Sequence, residues 1–348
     1  MTKLITRRAF IAGLGVSALA MIAGSAMAAE YGTPQPLKEG AQADIKALKN
    51  DGKIRIAYMP PATEFNYYIA IGEGIKAEAQ AQGVETFMLA PQSGSDINGQ
   101  MGMIQDVITQ DVDAIILSTH DEGAAAPLVK QAVDKGIAVI IVNSDIANFP
   151  APVHGVVGYS QRNGTHKIGD YLLKRLGDKP ANIAVIEGLP GYHSTERCGG
   201  FLDAVKGKPN ITIKTSIPGG WNVEGGNTAG MDLLQANPDV NVIFAANDYM
   251  IMGAAVAAKS LGKKDLLLLG NDGDTAALEE INAGTVGATV NTTPFVMGQI
   301  ALTVAVDTLN GKFPGGFVET PTTIVDKENV LPVLQAADKL WPKPSKAY

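Results

Sequence analysis

DAIILSTHDEGAAAPLVKQAVDKGIAVIIVNSD (113–145) and NVIFAANDYMIMGAAVAAKSLGKKDLLLLGNDG (241–273) decide the fold, because they match in order and nearly in length. Each reads apolar strand, polar turn, helix, apolar strand, polar turn. The same alternation runs outward from both. IRIAYM (54–59), ETFMLA (85–90), AVIIVN (138–143), IAVIEG (183–188), TIKTSI (212–217) and VIFAAN (242–247) read as buried strands. Helix-length segments such as 67–83 and 124–136 lie between them. Continuous apolar strands separated by helices indicate a parallel sheet covered on both faces. The expectation is an α/β chain of two similar doubly wound lobes.

Strand ends raise the functional question. VIFAAN runs into Asn247 and Asp248, residue types favoured as helix N-caps. Yet Ser118-Thr119-His120-Asp121, Asn143-Ser144-Asp145, Asn271-Asp272 and Asn291-Thr292 end other strands in the same manner. In open α/β sheets ligands bind outside the carboxyl ends of the strands. Capping accounts for one polar residue per turn and less readily for five turns rich in groups that both donate and accept. Aromatic residues join them: FNYY (65–68) follows the first strand, and Trp221 lies in the glycine-rich PGGWNVEGG (218–226). An amphipathic aromatic suits a ligand that is partly apolar and partly polar.

The chain opens with MTKLITRRAFIAGLGVSALAMIAGSAMAAE: a cationic start, an apolar run without acids, then Ala26-Met27-Ala28. That is the order of an export signal, and TRRAFI resembles the twin-arginine type. Cleavage after Ala28 removes three cationic residues and no acid, taking the formal net charge from −7 to −10. An acidic chain without a basic cluster argues against nucleic acid. The single cysteine, Cys198, lies far from the cleavage site and cannot carry an N-terminal lipid. The expected product is a free periplasmic protein, soluble and monomeric, with residues 29–51 as a mobile leader or a short surface helix.

Enzyme motifs are missing. There is no GxxxxGK[ST], no GxSxG and no Cys/His cluster, and His120, His154, His166 and His193 show no metal-ligand spacing. No catalytic residue, metal or cofactor is expected. A DNA-binding repressor with a two-lobed core would need a helix pair before the core and no export signal.

VDAIILSTHDEGA, ERCGGFLDAV, NPDVNVIFAANDYMIMGA and LLGNDGD, in that order behind an export signal, resemble the sugar-binding proteins of bacterial ABC importers, of the ribose-binding type. The likeness covers roughly Lys53 to the mid-330s. It implies a periplasmic binding protein of type I, with two lobes joined by three crossings near Gly158–Arg162, Asn291–Thr293 and Glu319–Thr323. The lobes would be 52–158 with 293–321, and 159–292 with 322–340, leaving 341–348 as a tail. It implies a monosaccharide or sugar alcohol as ligand and an inner-membrane permease as partner. The ligand positions it implies are Phe65, Asn66, Tyr67, Tyr68, Ser118, Asn143, Ser144, Thr195, Trp221, Asn247, Asp272 and Thr292. His120, Asp145, His193 and Arg197 are further candidates. On this reading Asn247 faces a ligand hydroxyl and Asp248 caps the next helix.

The chain departs from the ribose-type pattern in two places. Asn143-Ser144 stands where the family has an Asp-Arg pair, and Thr195 where it has a second arginine. Arginine forks hold oxygens bidentately, so their loss points to a different pentose, a deoxy sugar or an open-chain polyol. A periplasmic receptor that reports a small polar signal to a membrane sensor is the alternative, since import and sensing use the same closed clamp.

Overall fold

The computed structural model describes residues 28–44, 48 and 52–342. The expected export signal therefore lies outside the described residues, apart from Ala28, as do residues 343–348 of the expected tail.

The first lobe begins β1 (Arg55–Met59), α1 (Asn66–Gln82), β2 (Glu85–Met88), α2 (Ile97–Thr109), β3 (Ala114–Leu117), α3 (Glu122–Asp134), β4 (Ala138–Val142) and β5 (Gly155–Gly158). The second lobe runs α4 (Gln161–Leu176), β6 (Ala181–Glu187), α5 (Tyr192–Val205), β7 (Ile211–Pro218), α6 (Val223–Ala236), β8 (Val242–Ala245), α7 (Asp248–Ser260), β9 (Leu267–Asp272), α8 (Thr275–Ala283) and β10 (Ala288–Asn291). The chain then returns to the first lobe as α9 (Pro294–Leu309) and β11 (Gly316–Glu319), and crosses back as β12 (Thr323–Asp326). It ends in α10 (Val330–Gln335) and α11 (Ala337–Leu340).

Two six-stranded sheets result, ordered β11-β5-β4-β3-β1-β2 and β12-β10-β9-β8-β6-β7. Both reverse direction next to their first strand, β1 against β3 and β6 against β8. The sheets differ in the last strand, since β11 runs parallel to β5 and β12 antiparallel to β10. Central strands such as AIIL, AVIIV and VIFA are buried throughout, as two-sided helix cover requires. β2 and β7 differ from the expected buried strands. They form the sheet edges, and most of their residues are partly or fully exposed.

Close backbone approach locks α9 onto α1 once the chain has recrossed. A Cβ on Gly74 would lie 2.0 Å from the Phe295 carbonyl oxygen, and one on Gly298 would lie 2.0 Å from that of Ile71. Only glycine fits such contacts, so the segment after the second crossing is fixed to the helix that carries FNYY.

The described part of the leader, residues 29–44, is neither helical nor detached. Residues 29–44 run extended over the first lobe, where Gln35 and Phe317 exchange backbone hydrogen bonds of 2.7 Å. Tyr31 Oη donates to Asp307 at 2.9 Å, and its ring meets Phe313 edge-on at 5.8 Å. The leader thereby covers the β11 edge, which would otherwise present unpaired backbone groups. The far end of the chain also departs from expectation. α10 packs on α8, whereas α11 leaves the second lobe and lies on α9 of the first. Trp341, placed in the tail by the sequence, meets the Tyr67 ring edge-on at 5.9 Å.

Candidate ligand-binding site

A cleft of about 390 Å³, part of it open to solvent, lies where the carboxyl ends of the two sheets face each other. It is lined from the ends of β1, β3 and β4 on one side and β6, β7, β8 and β9 on the other. The strand order reverses at β1/β3 and β6/β8, which is where such sheets open a crevice.

The second lobe supplies the charge. Arg197 on α5 is buried and donates from Nε to Gln161 Oε1 (2.8 Å) and from Nη1 to the Ala246 carbonyl (3.1 Å) and Asp272 Oδ1 (3.0 Å). Its guanidinium carbon lies 5.4 Å from the Trp221 ring centroid and 5.7 Å from that of Tyr159. Burial opposes its charge, but Tyr159 and Asp272 together hold its pKa above the ordinary value. Burial pushes the Asp272 carboxyl up to about 7, with Arg197 as the main opposing influence. Asp272 Oδ1 also accepts from Asn271 Nδ2 at 3.1 Å. Among the described residues no hydrogen bond engages Arg197 Nη2 or Asp272 Oδ2, so a donor and an acceptor are left over on residues that line the space.

Trp221 closes this side. It is 7 % exposed, its backbone N–H donates to Met250 Sδ at 3.3 Å, and its backbone carbonyl accepts from Asn247 Nδ2 at 3.0 Å. A Cβ on Gly188 would lie 2.0 Å from the indole, so glycine at the end of β6 makes room for the ring. Asn247 and its neighbour divide their roles differently from the sequence expectation. Asn247 lines the space and also caps α7, its Oδ1 accepting from the Met250 N–H at 2.9 Å. Asp248 does not cap α7. It is fully buried and accepts from the Gly273 and Asp274 N–H groups, each at 2.8 Å, and from Thr289 Oγ1 at 2.6 Å. The reason is positional: Asn247 is extended and stands before the helix, while Asp248 is its first residue and turns toward β9 and β10. Burial, then the charge on Asp272, hold the Asp248 carboxyl well above the usual range.

The first lobe supplies neutral aromatic faces. Phe65, Tyr67 and Tyr68 come from the start of α1, His120 from the turn after β3 and Asn143 from the end of β4. Tyr67 Oη lies 3.0 Å from Asn143 Oδ1 and 2.9 Å from Thr292 Oγ1. His120 Nδ1 lies 3.0 Å from the Gly94 carbonyl, and its ring stacks on Trp221 at 6.5 Å and 26°. Burial lowers the pKa of His120 and, much further, that of His193 on α5 of the facing lobe, so both imidazoles are neutral near pH 7. Burial raises Tyr68 to about 12 and Tyr67 well above its ordinary value. This wall carries no charge at neutral pH.

Backbone strain gathers at the same place. Asn143 (φ 61°), Trp221 (φ 69°) and Asp272 (φ 140°) line the space, and Thr293 (φ 51°) sits at the second crossing. They are the non-glycine residues at positive φ among the described residues. Such conformations cost on the order of 1–3 kcal/mol each and concentrate at ligand clamps and switch regions.

The structure thus brings together Phe65, Tyr67, Tyr68, His120, Asn143, His193, Arg197, Trp221, Asn247 and Asp272. Other sequence candidates stand apart from the lining. The Asn66 and Thr195 side chains are exposed. Ser118 is buried at the end of β3, with its carbonyl held by Gln100 Nε2 at 2.7 Å. Ser144 Oγ accepts from the Ile146 N–H. Asp145 accepts from the Gln161 N–H and from Tyr192 Oη, each at 3.1 Å. Thr292 braces Tyr67 and donates to the Asp272 carbonyl at 3.1 Å. Two residues escaped the sequence reading. Tyr249 lines the space. Gln161, fully buried just after the first crossing, ties Arg197, His193 Nδ1 (2.7 Å) and the Asn143 carbonyl (2.8 Å) together. Neither carries a signal beyond its residue type: Tyr249 opens an apolar helical run, and Gln161 falls inside an expected crossing.

Comparison with known proteins agrees with this architecture. The family model described as periplasmic binding protein domain matches residues 56–313. The ribose import binding protein of Bacillus subtilis is 32% identical over 247 residues, 71% of this chain and 78% of that protein. The D-ribose/D-allose-binding protein of Pseudomonas aeruginosa is 29% identical over 288 residues, 78% of this chain and 89% of that one. Among solved structures, an ABC transporter periplasmic solute binding protein from Actinobacillus succinogenes 130z with bound D-allose matches with a TM-score of 0.74 at 28% identity. It covers 80% of this chain and 99% of its own.

Proposed function

This chain belongs to the family of periplasmic binding protein domains, and from that premise we propose that it captures a pentose-sized monosaccharide or sugar alcohol by lobe closure and delivers it to an ABC import permease. Membership makes it a solute-binding component of sugar import, not an enzyme. The finer reading rests on one observation: the Arg197–Asp272 pair, 3.0 Å apart and buried, faces a neutral aromatic wall across the cleft between the lobes. A sugar offers hydroxyls for the pair and Asn247, and C–H faces for Trp221, Phe65 and the tyrosines.

Closure is the step that makes binding selective. Periplasmic binding proteins as a class close about a hinge around their ligands, so the motion is inherited from the family. The protein acts in the periplasm as a monomer, and the closed form is what the permease recognises. Each neutral hydrogen bond contributes about 0.5–1.5 kcal/mol net, and one to a charged group about 1.5–3. Several of these with stacking reach micromolar affinity, about −8 kcal/mol, after the cost of ordering both partners.

Thermal unfolding of the mature protein with D-ribose, D-allose, L-arabinose, 2-deoxy-D-ribose, ribitol and myo-inositol tests this. A ligand at about a thousand times its dissociation constant adds roughly 4 kcal/mol, which is several degrees in a chain of this length. One strongly stabilising pentose or polyol is the expected result. No stabilisation across the panel rejects the proposal.

A further inference from the structure

We infer that Tyr249 is an inter-lobe latch: its phenol oxygen, on α7 of the second lobe, caps the N-terminus of α1 on the first when the lobes are together. This rests on the closure reading above and adds to it the residue that holds the closed form.

The first observation is a defect in α1. Its N-cap position is Phe65, which makes no side-chain cap hydrogen bond. The first N–H groups of a helix have no acceptor within the helix, and an apolar N-cap leaves them to water or to an outside group. The second observation is the outside group. The Asn66 N–H, at the first position of α1, donates to Tyr249 Oη at 3.2 Å. The Tyr249 ring meets Phe65 edge-on at 5.8 Å, so the same side chain covers the apolar N-cap residue. Burial, then the charge on Asp274, raise the Tyr249 pKa, so the phenol keeps its proton and a neutral oxygen does the accepting.

The geometry makes the bond specific to one state. Asn66 and Tyr249 belong to different lobes, so opening separates them and returns the helix end to solvent. Tyr192 to Asp145 is also an inter-lobe bond, but Asp145 additionally holds the Gln161 N–H at the first crossing, beside the pivot. Tyr249 reaches instead to the start of the aromatic segment that faces the ligand. A bond present only in the closed form slows reopening and so acts on ligand release.

The test is a double-mutant cycle. Tyr249→Phe removes the acceptor and keeps the ring. Asn66→Pro removes the donor, and proline suits the first position of a helix. Phe65 is already extended (φ −101°, ψ 119°), as a residue before proline must be. Asn66→Ala keeps the N–H and serves as the reference for Asn66→Pro. Dissociation rates are measured by stopped flow with whichever sugar of the panel above binds wild type most tightly. Each of Tyr249→Phe and Asn66→Pro should speed release roughly two- to tenfold, and the double variant should be no faster than the faster single. Additive effects, or Asn66→Pro no different from Asn66→Ala, would overturn the latch and leave the Tyr249 hydroxyl as a direct ligand contact. If wild type binds no sugar of the panel, the sugar reading fails separately. Small-angle scattering of the unliganded proteins then decides the latch: Tyr249→Phe must have a larger radius of gyration than wild type, and an equal one rejects it.

Discussion

At matching strand ends the two lobes present opposite chemistry. The first lobe faces the cavity with Phe65, Tyr67, Tyr68 and His120, none of them charged near neutral pH; the second faces it with Trp221, Asn247 and the Arg197–Asp272 pair. The strand order is repeated, so topology fixes where the turns converge while the turn residues fix what they offer. The distribution has an energetic logic. Both members of the ion pair lie in the second lobe, held by Gln161, the Ala246 carbonyl and Asn271, so opening does not strand one charge without its partner. An uncompensated buried charge is among the costliest states a protein can adopt. In the closure proposed above, the first lobe arrives as a neutral cover that excludes water, and electrostatic contacts strengthen in the lower dielectric that results.

The sharpest way to break this comparison is at the charged wall. Asp272→Asn keeps the shape and removes the charged acceptor, and should weaken sugar binding by roughly 1.5–3 kcal/mol, on the order of tenfold to a hundredfold. Calorimetric titration with the panel's best ligand reads the loss, and circular dichroism checks that the fold survives. Near-native affinity would mean that the ion pair is architecture and the ligand lies against the aromatic side alone.

A pH series separates the walls without mutation. Burial pushes the Asp272 carboxyl up to about 7, while His120 and His193 are lowered and the tyrosines raised. Two opposite signs follow. A raised carboxylate pKa contributes stability that is fully present below the unfolded value near 4 and is lost as pH rises through about 7. The unliganded protein should therefore lose this contribution between about pH 4 and 7. Ligand hydroxyls donate to the ionised form, so binding should tighten over the upper part of the window, by at most about tenfold per pH unit below 7. Asp248 and Asp274, also raised by burial, adjoin Asp272, so the same series on Asp272→Asn identifies the group. A slope that survives the substitution assigns the titration elsewhere.

How far the sequence reached follows from what a turn hides. The βαβ repeat at 113–145 and 241–273 made the two-lobed fold legible, because burial on both sheet faces leaves a continuous apolar run. The strand–helix alternation does not mark which strands lie at a sheet edge, so β2 and β7 read as buried although they are largely not. Within turns, residue type announces chemistry but not direction. Asn143 at φ 61° lines the cavity and Ser144 beside it does not; Asn247 serves both site and cap, and Asp248 holds a neighbouring turn. Backbone angles decide those pairs, and a single sequence does not print them. Tyr249 and Gln161 act through contacts across the lobes and the crossing, which no local pattern encodes.

The finest test lies in the neutral wall. Tyr67→Phe keeps the ring against Trp341 and removes a hydroxyl that bonds Asn143 Oδ1 and Thr292 Oγ1. Each of these neutral hydrogen bonds is worth about 0.5–1.5 kcal/mol and neither is made to the ligand, so affinity should fall less than about tenfold, below the Asp272→Asn loss. The hydroxyl's partners are an asparagine of the first lobe and a threonine at the second crossing, so its role is to fix the wall relative to the pivot. Calorimetry that found Tyr67→Phe as damaging as Asp272→Asn would collapse the distinction between the walls. The hydroxyl would then have to meet the ligand itself, and the first lobe would be a polar partner in recognition instead of a cover.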